Sequence, residues 1–424
     1  MIGAANAKGP LAGIRVLDLT TVIMGPYGTR ILADMGADVI KIESPEGDSF
    51  RAYGPYKHPG MGGSILNLHR NKRSLQLDLK DPVARDALDK LIATSDVLVH
   101  NLRPGAAKRL GLDWNSVSKV SASIVVCAAR GFSSEGPYGE KAAYDDLIQA
   151  GSGFAALNQQ LYGEPRYAPT AWCDKIAGQA IAYAVLGALV HRLRGGSGQE
   201  VEVPMFEVAI DFMLAEHFGP GAFEPPMGPY GFARQLSIRR RPYRTQDGWV
   251  CILPYSDKNW KDFFVFIGRP ELASQPRFAE ISSRVANIDE LYRLVEAHAL
   301  EHTTQQWVRF CDEVSIPCMP VLAFQDLGHD PHVVATGMFE IVEHPTEGRY
   351  RHIRPAVRYS ATPCELTHCA PRSGEHTREL LQSLGLPAID VDRLVAEVEG
   401  KAVSAPESLC ETIPGRDRTR ESGA

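Results

Sequence analysis

Short β-branched runs alternate with helical patterns through the first half of the chain, and few folds accommodate that order. Ile14–Leu19 (IRVLDL), Asp38–Glu43 (DVIKIE), Asp96–His100 (DVLVH) and Ile124–Ala128 (IVVCA) read as four strands. Gly25-Pro26 opens a helix that runs through Met35, and Asp81 followed by Pro82 starts another whose apolar stripe reaches Ile92. Strands joined through helices lie parallel, because a parallel pair needs a long crossover. The alternation therefore predicts the α/β class, with βαβ units on a parallel sheet. A long helix, Lys175 to Arg194, ends at Gly195-Gly196 and leads into a further strand, Gln199–Met205 (QEVEVPM).

The texture changes between Phe218 and Arg244, where Gly, Pro and Arg dominate. Such a stretch marks an inter-domain segment or an active-site loop. The predicted layout is a large domain beginning with 1–217, a linker or loop over 218–244, a smaller α+β domain over 245–330, and a further segment, 331–400. In the smaller domain Asp247–Leu253 (DGWVCIL) reads as a turn and strand, followed by helices at 257–267, 287–300 and 303–313. Two β-rich runs flank a turn at Pro345-Thr346-Glu347-Gly348. Residues 401–424 are polar and unpatterned, as in a flexible tail.

Composition narrows the function classes. With 45 Lys+Arg against 51 Asp+Glu the formal net charge is −6, which offers no basic footprint for nucleic acid. The most apolar stretch, Ile176 to Val190, falls short of the ~20 residues of a membrane span, so no membrane association is expected. No basic segment followed by an apolar one precedes the first strand, so a secretory signal is not expected. The eight cysteines are scattered without a CxxC pair, which suggests neither a zinc knuckle nor a disulfide framework. The expected setting is the reducing cytoplasm.

The first βα junction is where a doubly wound sheet binds nucleotides. Here it reads Thr20-Thr21-Val22-Ile23-Met24-Gly25-Pro26-Tyr27-Gly28, which is not G-x-G-x-x-G, although Glu43 stands where a ribose-binding acid would. A tight turn that packs a helix onto a strand accounts for these glycines. Lys72, Arg73, Lys80, Arg103 and Arg109 fall near strand ends or helix starts, positions that suit phosphate but equally form a solvated charged face. Asp174 precedes the long helix, where an aspartate usually caps the free amides. The run Arg234 to Arg244 (RQLSIRRRPYR) holds five arginines, Arg239 and Arg240 among them. It reads either as a carboxylate-recognition loop or as a solvated inter-domain or dimer surface.

An ordered set of motifs resembles the class III CoA-transferases, a family that includes formyl-CoA transferase, the carnitine CoA-transferases and the α-methylacyl-CoA racemases. The set opens with Pro10-Leu11-Ala12-Gly13-Ile14-Arg15-Val16-Leu17-Asp18-Leu19-Thr20, Gly25-Pro26 and Gly36-Ala37-Asp38-Val39-Ile40-Lys41-Ile42-Glu43. It continues through Asn71-Lys72-Arg73-Ser74, Asn101-Leu102-Arg103-Pro104-Gly105, Tyr144-Asp145 and Asp174-Lys175. Gly198-Gln199, Val203-Pro204-Met205 and Gly374-Glu375-His376-Thr377 complete it, so that it spans about residues 10–390.

The resemblance implies a large Rossmann-like domain and a small domain, with 331–400 returning to the large one, and two subunits threaded into an interlocked homodimer. CoA would lie over the large domain as the thioester of the substrate, with no permanently bound cofactor and no metal. Its adenosine end would sit near Leu77–Lys80 and Asn101–Arg103, with Arg109 as a phosphate partner. Ile23, Met24 and the segment 142–145, Tyr144 included, would line the pantetheine and thioester. Two positions depart from the family pattern: Ser44 replaces a basic residue after the second strand, and Ala142 a lysine of formyl-CoA transferase.

By the same resemblance Asp174 is the nucleophile, forming a mixed anhydride with the acyl group and then an aspartyl-CoA thioester. The helix dipole would favour its ionised form. Asp145 would support it electrostatically, or cap the next helix. The partners implied are an acyl-CoA donor and a carboxylic acid acceptor, with succinyl-CoA and a dicarboxylate suggested by the arginine run. A racemase needs an acid–base pair, and the residue at the racemase histidine position is Tyr144, a poor base at its ordinary pKa near 10. An inactive CoA-binding scaffold is the remaining alternative, and the presence of Asp174 argues against it.

Overall fold

The computed structural model describes residues 8–402, so the expected tail lies, from residue 403 onward, outside the described residues. The chain divides into two compact units, one of residues 8–148, 169–209 and 336–402 and the other of 149–168 and 210–335.

The first unit is built on six parallel strands: β1 (Arg15–Leu19), β2 (Asp38–Glu43), β3 (Lys72–Gln76), β4 (Val97–His100), β5 (Val125–Arg130) and β6 (Gln199–Pro204). Their order is β3-β2-β1-β4-β5-β6. Alternate residues serve opposite faces, as the strand period of two requires. Val16, Val39, Val99 and Cys127 enter one core, while Leu17, Ile40, Leu98 and Val126 enter the other. Burial on both faces is why these strands read as unbroken apolar runs.

β3 was not among the expected strands, because its sequence, KRSLQ, is mostly polar. It is buried nonetheless, and each polar group is paired. Lys72 Nζ donates to Asp18 Oδ2 at 2.9 Å and Ser74 Oγ to Glu43 Oε2 at 3.0 Å. As the edge strand it is also covered by the Gly374–Thr377 motif. Ser74 N–H donates to His376 Nδ1 at 3.2 Å, His376 N–H to the Ser74 carbonyl at 2.9 Å, and Gln76 N–H to Thr377 Oγ1 at 3.1 Å.

The helices that position the site follow the strands. α1 (Met24–Asp34) follows β1, α2 (Pro82–Ala93) follows β3, and α3 (Pro104–Arg109) follows β4. Asp81 caps α2 as expected, accepting from the Val83 and Ala84 amides at 2.8 and 3.0 Å. α4 (Trp172–Leu193) has 22 residues and begins ahead of the expected Lys175. That extension corrects the expectation about span length. By length and composition alone α4 is able to cross a membrane, with mean hydropathy 1.4 over an 18-residue window. Its buried side, including Ala177, Ile181, Val185 and Leu189, forms part of the first unit's core.

α1 and α4 touch backbone to backbone. A Cβ on Gly178 would lie 2.7 Å from the Met24 carbonyl oxygen, and one on Gly28 the same 2.7 Å from that of Gly178. Only glycine permits this approach, which brings the second turn of α4 against the start of α1.

The second unit contains a small antiparallel sheet in the order β7-β8-β9, formed by Tyr243–Arg244, Trp249–Ile252 and Cys318–Pro320. Helices Asp257–Phe266, Ile288–Ala299 and Thr304–Val314 close over Trp260, Phe263, Phe264 and Trp307. Ser256 and Thr303 form capping boxes on the first and third. The chain then returns to the first unit as an antiparallel hairpin, β10 (Phe339–His344) and β11 (Gly348–Ile353).

Gly178→Ala should lower stability by about 1–3 kcal/mol in chemical denaturation, because the methyl group has no room. Gly187→Ala on the same helix, where an added Cβ meets nothing within 4 Å, should be neutral or stabilising.

Candidate active site

A cleft of about 200 Å³ opens at the carboxyl ends of β1, β4 and β5. Strand order reverses between β1 and β4, the place where open α/β sheets accept ligands. Thr21–Met24 follow β1, Asn101–Arg103 follow β4, and Arg130 and Gly131 end β5. Gly139, the stretch 141–144, Asp174 and Met205 close the remainder. Asn101 ties two walls together, its Nδ2 donating to the Thr21 carbonyl at 3.0 Å and its Oδ1 accepting the Thr21 amide at 3.2 Å.

Asp174 is the one carboxylate among the described residues that line the cleft, and it is 9% exposed. It does not cap α4. The helix starts at Trp172 with Ala171 in the cap position, which leaves Asp174 inside the first turn with its own amide pointing back. That amide donates to Asp145 Oδ1 at 3.0 Å. The expectation that the helix dipole holds the side chain ionised is also overturned. Burial, with the Asp145 and Asp146 carboxylates adding to it, pushes the Asp174 carboxyl up to about 7 against the opposing pull of Lys175. Desolvation and like charge outweigh a helix terminus here, because a dipole end contributes only ~0.5 of a charge.

Of the residues singled out for CoA, the cleft brings together Ile23, Met24, Asn101, Leu102, Arg103 and Tyr144. Leu77, Lys80 and Arg109 do not line it. Leu77 is 2% exposed and belongs to the core beneath the sheet, Lys80 is exposed before α2, and Arg109 is exposed at the end of α3 rather than at a helix start. Asp145 touches Asp174 from the first position of its own helix, Asp145–Gly151. Arg239 and Arg240 belong to the second unit, where Arg239 is paired with Glu296 at 2.5 Å and Arg240 is exposed.

Two charged cleft residues escaped the sequence reading. Arg130 is held by Glu202 at 2.5 Å and Glu200 at 3.5 Å, with its Nε buried and unpaired. Lys141 is exposed, with its Nζ 5.0 Å from the centre of the Tyr138 ring. Arg130 carried a usable signal, since it stands two residues past the predicted strand Ile124–Ala128, at the ligand-binding end of the sheet.

The family model for CoA-transferase family III matches residues 11–377. Succinate–glutarate CoA-transferase of Agrobacterium fabrum is 29% identical over 391 residues, 91% of this chain and 98% of that protein. Formyl-CoA:oxalate CoA-transferase of Escherichia coli O6:H1 is 29% identical over 399 residues, 89% of this chain and 96% of that one. The crystal structure of a CAIB/BAIF family protein from Brucella suis superposes with a TM-score of 0.75 at 28% identity, covering 89% of this chain and all of that one. An open parallel sheet with its cleft at the switch point, matched over nearly the whole chain, defines an α/β enzyme that handles CoA thioesters. The chain belongs to CoA-transferase family III.

The raised carboxyl has a consequence for stability. Unfolded, Asp174 loses its proton near its ordinary 3.8, and folded near 7. Between those values the folded chain holds the extra proton, so this group's contribution to stability falls as pH rises through the window. Asp174→Asn, which cannot ionise, should therefore be more stable than the parent at pH 8, by about 2–4 kcal/mol, and melt at a higher temperature. Scanning calorimetry should show the difference narrowing as the pH is lowered to 5.

Proposed function

We propose that this enzyme moves CoA from an acyl-CoA to a carboxylic acid through covalent intermediates on Asp174. The observation that carries the reading is the buried Asp174 carboxylate, the one carboxylate among the described residues that line the cleft. A desolvated carboxylate is a stronger nucleophile than a hydrated one, and at neutral pH a large share of Asp174 is ionised.

The Asp174 oxygen attacks the thioester carbonyl, the C–S bond breaks, and CoA leaves as its thiolate. The product on the enzyme is a mixed anhydride. The thiolate attacks the aspartyl carbonyl, releasing the donor acid and leaving aspartyl-CoA. The acceptor carboxylate then attacks that thioester, and the returning thiolate takes the acceptor acyl group from the new anhydride. Each step exchanges one acyl bond for another, so no redox change is involved. Asp145, bonded to the Asp174 amide, positions the nucleophile and keeps it basic. Ile23, Met24, Asn101, Leu102, Arg103 and Tyr144 receive the CoA ester. Lys80 and Arg109, both exposed, are proposed for its adenosine end.

A dicarboxylate acceptor, with succinyl-CoA as donor, is the substrate reading we favour. The relatives named above act on succinate, glutarate and oxalate. Within the cleft Arg103 and Lys141 are exposed cations suited to a second carboxylate. In the second unit Arg240 is exposed, and Arg239 shares the Glu296 carboxylate with Arg241.

Purified enzyme mixed with succinyl-CoA alone, then with hydroxylamine, should give a hydroxamate mass shift on the peptide containing Asp174. With glutarate added, kcat/KM should rise with pH to a plateau above about pH 8, since only the ionised carboxylate attacks. Asp174→Asn should fold yet lose both adduct and transfer. A deamidation-free Asn variant with parent turnover would remove Asp174 from the mechanism.

The assembly we propose is the interlocked homodimer, with large and small domains as laid out above. Tyr183, Val190 and Leu193 on α4 are 64, 53 and 72% exposed, an apolar stripe that a second copy would cover. Sedimentation at nanomolar concentration should show a dimer that does not exchange subunits, because threaded chains separate only by unfolding.

A further inference from the structure

The turn between β1 and α1 contains a strained residue. Val22 has φ of 71°, in the left-handed region that a β-branched side chain strongly disfavours. Such a conformation persists only where its surroundings over-determine it, and those surroundings are visible. The Val22 amide donates to both oxygens of Asp48, at 3.0 and 3.2 Å. The two amides before it are also taken by side chains, Thr20 by Asp18 at 3.0 Å and Thr21 by Asn101 at 3.2 Å.

Asp48 is fixed from below. Its side chain and that of Lys41 on β2 are both 0% exposed, with Lys41 Nζ 3.2 Å from Asp48 Oδ2. The same ammonium donates to the Thr20 carbonyl, so one cation grips both the turn and the carboxylate that holds it. The Asp48 amide donates to Glu43 Oε1 at 3.0 Å, and Glu43 is paired with Arg51 at 2.8 Å. A buried ion pair is a poor source of stability, since apolar residues of like volume serve as well. It does fix direction. Here the direction is that of Thr21–Met24, which line the cleft beside Asp174.

We propose that Asp48, backed by Lys41, is a positioning residue for CoA transfer: it clamps Val22 in its strained conformation so that the turn meets the thioester at the right place. Asp48 does not itself line the cleft; it reaches the wall only through the Val22 amide. The inference rests on the reading that the reaction occurs in the Asp174 cleft, and it adds a requirement that reading does not contain.

The test is a double-mutant cycle on the full-length enzyme, with succinyl-CoA and glutarate as substrates. Asp48→Ala should lower kcat roughly 100-fold, the scale of a misplaced reacting group, while KM for succinyl-CoA changes less than about threefold. In the Val22→Gly background the same substitution should cost less than about fivefold, because glycine adopts positive φ without a clamp. Equal losses in both backgrounds, or a raised KM with unchanged kcat, would overturn the proposal. If Asp48→Ala does not fold, Asp48→Asn keeps the acceptor without the charge. It should lower kcat by about tenfold beside Val22 and scarcely at all with Val22→Gly, a neutral bond being roughly half as strong. Equal losses would again refute the clamp. Should the parent enzyme ignore glutarate, the substrate reading alone fails. The cycle is then run on hydroxamate formation at Asp174 from succinyl-CoA, with the same non-additivity expected and its absence, or the absence of any adduct, counting against the proposal.

Discussion

The contact between α1 and α4 is the constraint on which the site depends. Gly28 and Gly178 let the two helices approach until carbonyl oxygens stand where Cβ atoms would otherwise be. Helices bearing ordinary side chains pack 8–10 Å apart, and at that spacing the start of α4 would withdraw from the turn after β1. The parallel sheet delivers three loops to one end, which any doubly wound fold does. The close approach adds a fourth element from a distant part of the chain, and with it Asp174. The cleft is therefore assembled from one generic feature and one particular one.

The generic feature was legible. Apolar β-branched residues at β1, β2, β4 and β5 announce strands buried on both faces, and Asp81-Pro82 announces the start of α2. β3 was not legible, because KRSLQ carries no apolar signal. Its burial is licensed by partners far away in sequence, Asp18, Glu43 and His376, and periodicity cannot see partners. The site shows the same division. Asp174 stood out through its motif, but its environment did not. Where a helix begins shifts by two or three residues with local packing, and that shift moved Asp174 from the cap into the first turn. Burial, with Asp145 and Asp146 adding to it, then reversed the expected direction of its pKa. The strained Val22 left no trace in sequence at all, since valine there looks like any strand-flanking apolar residue.

The two anomalies at the cleft have one character. A buried carboxyl pressed by two others, and a valine held at positive φ, each cost free energy that the rest of the molecule must offset. Both are concentrated within the wall of one small cleft, while the cores on either side of the sheet follow the ordinary rules of alternation and close packing. Sites that violate local preference while their scaffold obeys it are where function is to be sought.

The covering of β3 by Gly374–Thr377 sets a schedule for synthesis. Until that motif leaves the ribosome, β3 presents an uncovered strand edge, a ready template for pairing with other chains. The motif follows β3 by about 300 residues, which at 5–20 residues per second is roughly 15–60 s of translation. The first unit is thus the first to begin and the last to finish, and the second unit is synthesised entirely within that interval. The polar character of β3 takes on another meaning in this light. A nascent edge carrying Lys72 and Arg73 recruits neighbours far less readily than an apolar one, so the residues that hid the strand from the sequence reading also guard it while it waits.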